Sequence, residues 1–315
     1  MRAIATYILR GPLQAIIVTA FSSAMSLILP PLAHVSGACV ALVTLRKGLR
    51  EGLFVLAVAG FILGLLSMAF PVNAAMIKIY ILAMVLVWWL PVGVTAAVLR
   101  YTRSLGFTLL FLGMLCMVML TGCYLLIGDM PGWWREVLPA MLKPMYEAAN
   151  FAMTMEELDL LIGNMAGVMT GFMFATIVYL TMINLFIARW LQSILFNPGG
   201  FRTEFYTLKL DHRLAVFLLI IAAVSVFISG NLANYALNLL IVIVALYSLQ
   251  GLAIVYAVVA ALNAHTGWLI ALYVLMFFAL PYVMLVLSCT GLADNLLDIR
   301  ARVKKRGPSS GSDSH

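Results

Sequence analysis

Polar residues interrupt the chain at short intervals and leave apolar runs at about 11–29, 32–45, 53–70, 75–98, 105–127, 165–188, 214–229, 235–262 and 268–290. A helix rising about 1.5 Å per residue needs about twenty such residues to cross roughly 30 Å of hydrocarbon. Helix is the expected form, because lipid offers no partner to an open backbone N–H or C=O. The pattern therefore predicts an all-α, polytopic transmembrane helical bundle with about eight to nine membrane segments. In this reading residues 1–306 form a single integral membrane domain with an outer excursion over about 128–164. The end, "GPSSGSDSH" at 307–315, is a disordered tail by composition.

Two runs depart from the pattern. The run at 32–45 is short for a full crossing and follows Pro30-Pro31, which end the first run. His34 then sits beside Ser36 and Gly37 at the outer mouth of a tight hairpin of two segments. Transporters place polar sites at such broken helix ends; the plainer alternative is an interfacial histidine touching water. The run at 235–262 is longer than a crossing requires. It is either one tilted helix or a re-entrant pair turning at Gln250-Gly251.

Composition excludes a water-soluble fold. The chain is 64% hydrophobic and 10% charged, with a mean hydropathy of +1.09, and from Leu214 to Ala293 it has no Asp, Glu, Lys or Arg. The basic, apolar start imitates a secretory signal, but the run continues to Leu29 and many follow, so a retained first helix is expected. Four cysteines, at 39, 116, 123 and 289, lie in apolar segments without CxxC spacing and read as small hydrophobes.

Charge then orients the segments. Arg46, Lys47 and Arg50 follow the second run, Arg100 and Arg103 the fourth, and Arg189, Arg202, Lys209 and Arg213 the sixth. With every segment crossing, these clusters share one side with Arg2 and Arg10, and that side is the cytoplasm. The excursion on the other side holds half of the 12 acidic residues, and its "TMEE" at 154–157 is a capping box. One conflict remains: if every run crosses, the basic tail "RARVKKR" falls on the outside.

Candidate chemistry is sparse. Lys78 is the only charge between Gly52 and Arg100, placed to meet a solute anion or to snorkel to the surface. Asn184, Asn238 and Gln250 lie deeper, where an amide contacts a solute or, more commonly, a neighbouring helix. His34, Lys78, Gln250 and Gly251 are the candidate solute contacts. Gly163, Gly167 and Gly171, spaced by four, and Gly60 with Gly64 are helix-packing or partner faces. In "GLADNLLDIRARVKKR", Asp294, Asp298 and Arg302 fall on one face of an amphipathic helix, the acids salt-bridged rather than ligating. HExxH, GxSxG, Walker and dinucleotide-binding signatures are missing, so no enzyme, cofactor or metal site is expected. Nothing points to nucleic acid; the bilayer, a small solute and a membrane protein are the expected partners.

Three stretches, "LPPLAHVSGACVALVTLRKGLREG", "LYSLQGLAIVYAVV" and "GLADNLLDIRAR", together resemble the YybS-like family of bacterial integral membrane proteins, the domain of unknown function numbered 2232. The resemblance covers most of the chain and implies the bacterial inner (plasma) membrane, with no settled activity. It also implies an architecture similar to the substrate-binding subunits of energy-coupling-factor transporters. Ala20 and Ala24 resemble the small-residue face by which such subunits dock on their partner. The implied function is a small-solute-binding or transport subunit; the alternative is a non-enzymatic scaffold of an envelope complex.

Overall fold

The computed structural model describes residues 2–68, 74–149 and 154–306; the expected tail at 307–315 lies outside the described residues. Among those residues every regular element is a helix: α1 (Arg2–Arg10), α2 (Pro12–Met25), α3 (Leu32–Lys47), α4 (Leu49–Met68) and α5 (Ala74–Ala83). A π-helical stretch, Met84–Trp89, then leads into α6 (Leu90–Thr102), α7 (Leu105–Ile127), α8 (Met130–Ala149) and α9 (Met155–Ala166). The rest are α10 (Met169–Phe196), α11 (Gly200–Tyr206), α12 (His212–Ser225), α13 (Asn231–Ala261), α14 (Gly267–Leu297) and α15 (Ile299–Arg306). Six of these stretches are long and apolar enough to cross a membrane: α4, Lys78–Thr102, α7, α10, α13 and α14. α2 and α12 are shorter apolar helices.

The chain forms two compact units, Met1–Leu112 with Ile177–Lys209, and Gly113–Thr176 with Leu210–His315. In the first unit the helix breaks at Gly11, which is extended, and Pro12 opens α2, where a missing N–H costs nothing. After Pro30-Pro31, α3 folds back along α2, which is the hairpin expected from the sequence. α3 is buried at every position from Ser36 to Leu45, packed by α2, α4 and α6. A helix apolar on all sides belongs inside a bundle. That enclosure is how so short a segment is kept from lipid. The core centres on fully buried Trp89, with Ala20, Val40, Ala59 and Met84 around it.

In the second unit α8 and α9 fold onto each other around Met130, Trp134, Leu138, Leu158 and Ile162, so the excursion has a small core of its own. The capping box is formed as expected: Thr154 Oγ1 accepts from Glu157 N–H at 3.2 Å, and Glu157 Oε2 accepts from Thr154 N–H at 2.7 Å. It starts α9, which a two-residue turn at Gly167-Val168 separates from the long α10.

α13 settles the question raised at Gln250-Gly251. It runs unbroken for 31 residues, without a re-entrant turn. α14 lies along it and kinks at Ala279, just before Pro281, whose ring cannot fit behind a regular helical turn. The C-terminal motif also differs from its expected form. Asp298 is left-handed and ends α14, so Asp294, Asp298 and Arg302 do not share one continuous helix face. The expected salt bridge exists, but Asp294 makes it with Arg300.

Candidate functional site

His34 stands in the first turn of α3, and its Nδ1 lies 3.0 Å from Oδ1 of Asn184 on α10. Both residues belong to the first unit. The imidazole N–H donates to the amide oxygen, which turns the two N–H bonds of Asn184 Nδ2 the other way. Asn184 is completely buried, and Nδ2 has no partner among the described residues. Gly37 makes the room: a Cβ there would lie 2.8 Å from both Cγ and Nδ2 of Asn184.

The π-helical stretch closes the other side. A π-bulge adds one residue to a turn and re-aims the side chains that follow. Here two successive indoles both reach α3. The Trp88 ring lies 5.3 Å from the His34 ring, tilted by 50°, while Trp89 Nε1 donates to Ser36 Oγ at 3.0 Å. Trp88 Nε1 is buried and, like Asn184 Nδ2, lacks an acceptor among the described residues. Tyr80, on α5, adds a hydroxyl that bonds Ser26 Oγ and donates to Ser23 O at 3.3 Å.

The other expected contacts are placed differently. Lys78 is exposed on α5, two residues before Tyr80, and no hydrogen bond among the described residues links it to His34. Gln250 and Gly251 belong to the second unit and serve it internally. Gln250 is fully buried; its Oε1 accepts from Leu210 N–H at 2.8 Å, and its Nε2 donates to Gly291 O and Asn295 Oδ1, each at 2.9 Å. Asn295 returns to Leu210 O at 3.3 Å, which closes the node. Gly251 is where α14 comes closest, since a Cβ would lie 1.9 Å from Leu287 O.

We expect Gln250→Leu to leave two groups, Leu210 N–H and Asn295 Oδ1, without their partner in one place. At about 1–3 kcal/mol for each buried orphan, it should lower the unfolding midpoint of the purified protein well beyond Lys78→Leu. Equal midpoints would mean that water replaces the node.

The glycine faces also divide. Gly171 packs on the α13 backbone, a Cβ there meeting Asn238 Cα and O at 2.9 Å. Gly167 faces Asn234 at 3.4 Å and Gly60 faces Val85 at 3.0 Å, whereas a Cβ on Gly64 or Gly163 would meet nothing within 4 Å. Ala20 and Ala24 pack in or against the Trp89 core. Asn238 is buried; its Nδ2, with two N–H donors, lies within hydrogen-bond distance of Tyr124 OH, Gly167 O and Asn234 O.

A family model described as Predicted membrane protein (DUF2232) matches residues 8–295. The chain belongs to that family. No curated protein and no solved structure matches it. The DUF2232 match spans both units and contains His34, Trp88 and Asn184. Sequence reasoning reached His34 but did not join it to Asn184, 150 residues away, nor did it weigh the Trp88-Trp89 pair. The available signal was two adjacent tryptophans inside one span, away from the membrane edges where that residue concentrates.

Proposed function

We propose that this DUF2232 protein binds a small solute within the membrane, as a solute-binding or transport subunit, through Asn184, Trp88 and His34. The reading is carried by two buried N–H donors, Trp88 Nε1 and Asn184 Nδ2, without acceptors among the described residues. Each such orphan costs about 1–3 kcal/mol, and lipid cannot relieve it. The solute that fits brings an acceptor, a carbonyl or carboxylate oxygen, on a body that lies against the Trp88 indole. The proposed role is non-enzymatic.

The membrane arrangement extends the same reading. The six long apolar stretches, with α2, α3 and α12, supply the eight to nine proposed segments in the bacterial inner membrane, its N-terminus cytoplasmic by the charge rule. If α12 does not cross, eight segments remain and the charge rule puts the basic tail on the cytoplasmic side; with nine it falls outside. Docking on an energy-coupling-factor type of partner through Ala20 and Ala24 is not part of the proposal, because both alanines pack on their own core. The competing scaffold reading draws on Gly64 and Gly163, which face open space.

Native mass spectrometry of protein extracted gently from its own membranes tests the proposal. We expect a reproducible small-molecule adduct, with affinity reduced at least about tenfold in Asn184→Leu and in His34→Ala, tenfold being about 1.4 kcal/mol. An adduct held equally by wild type and both variants would remove these residues from the site. A stoichiometric protein partner without an adduct would favour the scaffold.

A further inference from the structure

Within the first unit, Arg46 at the end of α3, Arg100 and Arg103 at the end of α6, and Arg189 on α10 line one cavity of about 300 Å³, together with Gln192. In the sequence these arginines are three separate clusters, and each by itself only marks a membrane edge. Folding brings them to one opening, and among the described residues no carboxylate lines it.

The guanidinium groups are held by partners that mostly do not cancel their charge. Arg100 donates to the Leu45 carbonyl oxygen at 2.9 Å. Arg46 lies over the Phe196 ring, 4.2 Å from its centroid. Arg189 is the exception: it pairs with Glu204, its Nε donating to Oε2 at 2.8 Å, and it also donates to Gln192. Arg103 is placed by its backbone. It caps α6 in the left-handed conformation, at φ 52° and ψ 24°, where glycine is the residue that fits without cost. An arginine at a position that favours glycine puts a charge at this mouth at the expense of the helix end.

Like charges gathered around one cavity repel unless an anion joins them. Arginine matches phosphate best, because its planar donor fork meets two oxygens at once. Basic pockets between membrane helices at the cytoplasmic edge take lipid head groups in this way, and the volume lies at the small end of ligand sites. We propose that this cavity is a binding site for a phosphate-bearing anion, supplied by an anionic phospholipid head group or by a soluble phosphate compound. It is independent of the His34–Asn184 site and holds whether or not that site takes a solute.

The test uses the full chain purified in detergent and measures the thermal unfolding midpoint. The probes are inorganic phosphate, phosphatidylglycerol in mixed micelles, and phosphatidylcholine as the neutral comparison. The variants are Arg103→Gly, which removes one guanidinium while giving the backbone its preferred residue, and Arg135→Gln, which removes an exposed charge in the other unit. We expect a saturable rise in the midpoint with phosphatidylglycerol or inorganic phosphate over phosphatidylcholine, unchanged in Arg135→Gln and needing at least tenfold more probe in Arg103→Gly. A response to the lipid alone identifies a head-group site; a response to inorganic phosphate as well identifies a soluble source. No saturable response to either probe, or equal responses from both variants, would overturn the proposal.

Discussion

Gly251→Ala should separate α13 from α14 and leave a protein that unfolds far more easily than wild type. The added Cβ would sit 1.9 Å from Leu287 O and 2.6 Å from its carbonyl carbon. The obstacle is backbone, so no side chain can rotate out of the way. The contact is reciprocal: a Cβ on Gly291 would lie 2.3 Å from Tyr247 O. Nothing in lipid compensates, because membrane helices associate by close packing and hydrogen bonds without a hydrophobic force between them. Shifting α14 outward would also pull Gly291 O and Asn295 from Gln250, so packing and hydrogen bonding fail together. Overpacking costs about 1–3 kcal/mol where neighbours can yield, and here the cost belongs at or above the top of that range. Denaturant unfolding of the detergent-purified chain measures it, with Gly64→Ala as the comparison, since nothing lies within 4 Å of that position. Midpoints that agree within error for the two variants would show that the helices do not meet this closely.

The second large effect belongs to Asp294. Its side chain is 1% exposed and receives Arg300 N–H at 3.2 Å, Arg300 Nε at 3.1 Å and Arg300 Nη2 at 2.7 Å. The pair spans the left-handed turn at Asp298 and fastens α15 to the end of α14. Breaking a buried ion pair by removing one partner costs about 3–5 kcal/mol. Asp294→Ala should therefore destabilise strongly, while Asp294→Ala with Arg300→Leu recovers part of the loss, because the guanidinium no longer has to be buried beside the missing carboxylate. Protection of residues 299–306 from proteolysis, read beside the unfolding midpoint, distinguishes release of α15 from general unfolding. A double variant no better than the single one would argue against the pair as the fastening.

Both effects arise where residues distant in sequence meet, and neither was legible in full beforehand. "LYSLQGLAIVYAVV" leaves open one tilted helix or a turn at Gln250-Gly251, and for Gln250 a solute contact or, more commonly, a bond to a neighbouring helix. The same two residues are a packing and hydrogen-bonding node inside a continuous helix. A glutamine beside a glycine in an apolar run marks a polar need at that depth, but not whether protein or solute meets it. The Asp294 motif was read in helical spacing, and that spacing is lost because Asp298 takes the left-handed conformation. The short hairpin of α2 and α3 was legible, since Pro30-Pro31 act on the residues next to them. The capping box was legible for the same reason, its partners lying three residues apart.

The sequence by itself determined that this is an all-helical, multi-pass membrane protein, because apolar length and backbone hydrogen bonding leave a chain no other form in lipid. It also determined where many helices start and stop, because caps, prolines and glycines act over a few residues. The tertiary structure alone decided which polar groups meet: His34 with Asn184, Gln250 with Leu210 and Asn295, and the four arginines around one cavity. Helical period tells which face a residue occupies but not which helix will lie against that face. In a chain so uniformly apolar, many pairings satisfy the pattern equally well, and packing at the few small and polar positions selects among them.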